Sequence, residues 1–237
     1  MSVSCSSSWT GKQVSRRTIL FLSIPAWRTS SVNDLHTLER FSPFGTPVAA
    51  PGGLLWEVET AIFRCRMPAS EAMQTAVSLE DAVQDPQALA FFEMLIPKPP
   101  FQLLEATVAF FRGVIFQAGH SSEALVQLTY DAPKWGMRIP EQKVNATRVD
   151  AGSVTAEHRV GVEIHSHGTL PAYFSPTDDA DEIDGFLYCV IGDVTAWSPS
   201  ICLRVGHAGC FLDLSVDQVF ELPHGLQLQE WPRRDNE

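Results

Sequence analysis

Positive charge is scarce in this chain, and no stretch of it is both long and apolar. Its 17 lysines and arginines face 28 aspartates and glutamates, a formal net charge of −11 at pH 7. That balance repels a phosphate backbone rather than neutralising it, so no direct contact with nucleic acid is expected. No apolar run nears the roughly 20 residues that cross a bilayer as a helix, so no membrane partner is expected either. Cysteine is sparse and odd in number: Cys5, Cys65, Cys189, Cys202 and Cys210, with no C-x-x-C pair among them. A disulfide framework and a four-cysteine metal site are thereby disfavoured, and the five read as mostly buried thiols of a reducing, cytoplasmic compartment. The phosphate-cradling G-x-x-x-x-G-K-[ST] loop is missing, and Gly206-His207-Ala208-Gly209 is a turn rather than a dinucleotide fingerprint.

Apolar residues are not lacking. They make up 45% of the 237, enough for a sizeable core. Residues 1–50 are rich in Ser, Thr and Pro without a sustained period and read as a disordered or loosely packed extension. Within them Ser15-Arg16-Arg17-Thr18-Ile19-Leu20-Phe21-Leu22 has a twin-arginine look, but Trp27 and Arg28 stand where a cleaved leader wants small residues. Residues 51–100 read as an accessory region. Partial alternation over 54–67 (Trp56, Val58, Ala61, Phe63, Cys65) predicts a long strand or hairpin ending at Pro68. The spacing of Met73, Val77, Leu79, Val83, Leu89, Phe92 and Leu95 predicts helix over 69–95, interrupted at Pro86. The stiff Ile96-Pro97-Lys98-Pro99-Pro100 marks the preferred boundary of a main domain, 101–237.

That domain opens with a broad apolar stripe over 101–116 (Leu103, Leu104, Val108, Phe111, Val114, Ile115), a core-facing helix closed by Gly119. Strand-like runs follow at 123–130, 137–139, 144–149, 160–165, 186–191, 201–205 and 211–214, with another helix beginning near Ser175. The order predicts an α+β, mixed α/β layer fold. Trp56, Trp135 and Trp197 are expected to pack in the core or along an edge.

Chemistry concentrates in 162–178. His165 and His167 alternate at a strand end, so both imidazoles face one side, as a metal with bonds of about 2.0–2.1 Å to nitrogen requires. Asp178 arrives on the first turn of the next helix as a third ligand, and a two-His, one-carboxylate set leaves a position open for water, as catalytic zinc does. Each half also has a plainer explanation. Alternating histidines are common half-exposed polar residues, and Ser175-Pro176-Thr177-Asp178 is a capping signature with Pro at the first helical position. Their joint spacing is harder to set aside, because chance produces it in about one such sequence in a thousand. The acidic run Asp178, Asp179, Asp181, Glu182 and Asp184 is a solvated helix start beyond its ligand. Cys210 near His207 is too weak a pair to argue for a thiol nucleophile.

His-x-His-x₇-Ser-x-x-Asp resembles the JAMM signature of the MPN (JAB) metalloproteases, whose active members hydrolyse isopeptide bonds to ubiquitin or ubiquitin-like proteins. The resemblance covers roughly 101–214 and implies a cytidine-deaminase-like sandwich, one Zn²⁺ per chain on His165, His167 and Asp178, and Ser175 as oxyanion donor. It also implies an upstream glutamate as general acid/base on the strand after the first core helix. Glu123 fits that context, with Glu105 and Glu163 as alternatives. Ile139-Pro140-Glu141-Gln142, Phe174 to Glu182 and Arg204-Val205-Gly206 are similar to the PRTRC system protein A branch. That branch implies a ubiquitin-like protein or its conjugate as substrate and a ThiF-like activating enzyme as neighbour. Gly168 departs from the eukaryotic pattern, which has proline there, and leaves open how the loop 168–174 is held. A non-catalytic scaffold of the same fold, and a hydrolase of small amides, are the rival expectations.

Overall fold

The structure, a computed structural model, describes residues 45–144, 149–151, 160–182 and 186–224, all within one unit, Val32–Glu237. The extension up to residue 44, its twin-arginine stretch, Cys5 and Asp184 lie outside the described residues.

Alternation drives the first sheet. β1 (Gly45–Ala50) and β2 (Gly53–Glu59) form a hairpin, and β3 (Phe63–Pro68) pairs antiparallel with β2, so that Trp56, Val58, Phe63, Cys65 and Met67 all turn inward. Residues 45–50, assigned by sequence to the extension, thus form a strand, because Gly45 to Ala50 pair in turn with Val58 to Gly53 of β2. The hairpin expected over 54–67 is present.

The helix expected over 69–95 is not. α1 (Glu71–Ala76) has six residues and stops where Val77 turns extended. β4 (Val83–Gln84) and β5 (Phe91–Met94) follow, giving a mixed sheet in the order β4-β1-β2-β3-β5. Pro86 cannot continue a helix, and pairing Phe91–Met94 onto β3 stacks Phe92 on Phe63 with ring centroids 5.7 Å apart. Leu79, Val83, Leu89 and Leu95 remain exposed, so their helical spacing buries no stripe.

α2 (Phe101–Ala118) forms as expected, capped by Gly119 at φ 71° in the left-handed region that glycine tolerates best. It contributes Leu104 and Phe111 to the core, each worth about 1.5–3 kcal/mol when fully buried. β6 (Leu125–Asp131) and β7 (Lys134–Arg138) form a hairpin, and β8 (Gln142–Val144) pairs with β9 (Val149–Ala151) as a separate ribbon.

β10 (Val160–Ser166), α3 (Pro176–Asp181), β11 (Phe186–Gly192), β12 (Ser200–His207), β13 (Cys210–Leu214) and α4 (Val216–Val219) are the remaining elements among the described residues. The six-stranded sheet runs β13-β12-β11-β10-β6-β7. β10 is antiparallel to β6 but parallel to β11, and parallel neighbours require a crossover between them. Residues 167–182 open that crossover, so the chemistry-bearing segment leaves the carboxyl end of β10, where α/β sheets place ligands. Val162, Ile164, Leu187, Cys189, Ile191, Leu203 and Val205 share one hydrophobic cluster with the first sheet and α2. The mixed α+β class expected from sequence is the one observed. Trp56 is buried and Trp135 donates to the Pro97 carbonyl at 2.7 Å, whereas Trp197 is fully exposed and packs against nothing.

Candidate metal centre

Strand parity sorts the residues of β10. Val162, Ile164 and Ser166 are buried, while Glu163 and His165 stand on the other, partly open face, and His167 continues that side just past the strand. His165 and His167 approach with their Nε2 atoms 3.3 Å apart. Asp178 meets them from α3: its Oδ1 lies 3.3 Å from His165 Nε2 and its Oδ2 4.0 Å from His167 Nε2.

Ser175 and Asp178 do form the capping box read from sequence. The Asp178 N–H donates to Ser175 Oγ at 3.3 Å and the Ser175 N–H donates to Asp178 Oδ2 at 2.6 Å. Capping therefore occupies Oδ2 and orients the carboxylate so that Oδ1 faces His165. Helix capping alone gives no reason for two imidazoles to converge on that carboxylate.

The three residues each offer one atom in a group spanning no more than 4.8 Å. A four-coordinate ion with bonds of about 2.0–2.1 Å holds its ligands about 3.3–3.4 Å apart, which two of the three separations match. The ring electrostatics also suit a cation. Burial lowers the His165 pKa to about 4, against the pull of Asp178 and with help from the charges of His167 and Arg204. Burial lowers His167 as well, opposed by Asp178 and by the carbonyl of Pro171. Both imidazoles are thus neutral near pH 7 and free to donate lone pairs. The site fits a divalent metal.

Glu123 lies two residues ahead of β6 rather than on it. The ladder pairs Leu125 with His165, and one step further Ala124 and Ser166 exchange hydrogen bonds, so Glu123 comes opposite His167. Burial, and then the negative charge of Asp178, raise its carboxyl to about 7. Glu163 shares the face of His165 but accepts from Gln127 Nε2 at 3.0 Å, and Gln127 in turn accepts from Arg138. Glu105 is an exposed residue of α2. Cys210 is buried, and burial raises its thiol, which argues against a nucleophile there.

Gly168 takes φ 61°, a value closed to proline, and a Cβ there would stand 2.1 Å from Ser121 Oγ. The loop is held instead by hydrogen bonds. Ser121 Oγ accepts from the Thr169 N–H, Val194 N–H donates to the Gly168 carbonyl, and Ser200 Oγ accepts from the Ala172 N–H while donating to Asp193. Tyr173 sets its ring edge-on to His167, centroids 4.5 Å apart. Ser121, Ser166, Tyr173 and Ser200 were not singled out from sequence, because each is a common residue whose partner is distant in the chain.

Residues 113–200 match the family model described as prokaryotic homologs of the JAB domain. The matched stretch contains Glu123, His165, His167, Ser175 and Asp178. No curated protein matches the chain.

Proposed function

We propose that this chain is a zinc-dependent peptidase of the JAMM type that cleaves an amide at the C-terminus of a ubiquitin-like protein. The observation that carries the reading is the convergence of His165 Nε2, His167 Nε2 and the Asp178 carboxylate, within a stretch similar to prokaryotic JAB homologues.

A zinc ion held by these three residues supplies Lewis acidity, which makes hydroxide available near neutral pH. The remaining work falls to the chain. Glu123, as carboxylate, accepts the proton of the attacking water and passes it to the departing amine. Ser175 is free to donate: its Oγ lone pair takes the Asp178 N–H, leaving the hydroxyl proton for the developing oxyanion. The loop 168–174, fixed by Ser121 and Ser200, positions Tyr173 against His167.

The test is cleavage of a ubiquitin-like protein joined through its C-terminus to a reporter. Cleavage abolished by a chelator and restored by zinc supports the reading. Zinc-free protein that binds such a partner without cutting it points to a scaffold, and cleavage of short amides alone points to a general amide hydrolase.

A further inference from the structure

We propose that Arg204 is a positioning residue for the metal centre, setting where Asp178 and Ser175 stand by gripping α3 and its entry from both sides. The inference rests on the ligand set proposed above and extends it to a residue on another strand.

α3 has six residues and buries none of them, and a helix so short does not hold itself in water. Its place against the sheet must come from side chains that reach across to it. Arg204 does so from β12, where it stands opposite Tyr188 of β11 and Asp213 of β13, and it is only 6% exposed. Its Nε donates to Glu182 Oε2 at 2.6 Å and its Nη2 to Asp179 Oδ1 at 2.7 Å. The guanidinium carbon lies over the rings of Phe174 and Phe211, 3.7 and 4.0 Å from their centroids.

Three of these four partners bracket the reactive pair. Phe174 immediately precedes Ser175, Asp179 immediately follows Asp178, and Glu182 caps the helix. The fork and the stacked plane together demand a guanidinium, since a lysine ammonium offers a point charge without either. Without Arg204, Glu182, itself 3% exposed, would be left buried without its cation. Arg204 stands outside the ligand cluster, and because its positive charge on His165 would repel a cation, any support it gives zinc comes through the helix.

The experiment measures zinc affinity by competition with a chromophoric chelator, alongside thermal melts of the metal-free proteins. Arg204→Met is expected to weaken zinc about 10–100-fold, the range for lost outer-shell support, and Arg204→Lys to fall between it and wild type. Val58→Ala, in the first sheet, is expected to lower the melting temperature yet keep wild-type zinc affinity. Should Arg204→Met not fold, Glu182→Met, which removes the acceptor of the Arg204 Nε–H, is read in its place with the same expectation. Wild-type zinc affinity in Arg204→Met or its replacement overturns the proposal, as does a parallel loss in Val58→Ala, which would make the effect general destabilisation. A wild-type chain that retains no zinc overturns the ligand set itself, a result distinct from either.

Discussion

Ala124 and Ser166 exchange hydrogen bonds in both directions: the Ala124 N–H donates to Ser166 Oγ at 3.1 Å, and the Ser166 N–H donates to the Ala124 carbonyl at 3.0 Å. Ala124 follows Glu123, and Ser166 sits between the two histidines. The pair therefore fixes the spacing between base and ligands. Ser166→Ala leaves the buried Ala124 N–H without an acceptor, at a cost of about 1–3 kcal/mol, to be read from urea melts. Zinc should be retained, with kcat reduced more than KM changes, because the ligands stay and the base loosens.

Glu123, Glu105 and His165 separate by what each variant loses. Glu123→Gln should keep about one zinc per chain and lose about 10²–10⁴ in turnover, the usual contribution of a general base. Glu105→Gln should match wild type. His165→Ala should lose both metal and turnover. Metal analysis beside kinetics checks all of them, and wild-type turnover in Glu123→Gln would move the base role to another residue.

Glu123 also predicts a pH signature. Its carboxyl is raised from 4.5 to about 7 in the metal-free fold, so its contribution to stability is full below pH 4.5 and is lost as pH rises through about 7. Glu123→Gln should flatten that part of the metal-free stability curve. His165 acts in the opposite sense: with its pKa lowered to about 4, its contribution is present above pH 6.5 and is lost as pH falls toward 4. A divalent cation favours the Glu123 carboxylate, so zinc should move its titration below 7, which NMR of labelled glutamate can follow.

Gly168→Ala tests the loop. The substitution puts a Cβ against Ser121 Oγ in a left-handed backbone, and we expect a loss of about 1–3 kcal/mol in thermal melts. Gly168→Pro should be worse, since its ring forbids φ 61°.

Much of this centre is legible in sequence because its ligands lie close together along the chain. Strand parity brings His165 beside His167, and a capping box turns Asp178, so local rules place two of the three contacts. Gly119 and the stripe of α2 are equally local. The helix expected over 69–95 fails for the complementary reason: its apolar spacing was real, but pairing of Phe91–Met94 with β3 outweighs it, and strand pairing is a long-range event. Arg204 meets α3 only because β12 lies beside β11, and Ser200 reaches the 168–174 loop in the same way. Neither contact has a sequence period that could announce it.

The account stands on three side chains sharing one metal ion, and zinc-edge X-ray absorption of the zinc-loaded chain tests that most directly. It predicts about one zinc per chain after desalting, two imidazoles and oxygen donors at about 2.0–2.1 Å, and loss of the metal in His165→Ala. Zinc that does not survive desalting, or a spectrum unchanged in both His165→Ala and Asp178→Asn, would contradict it.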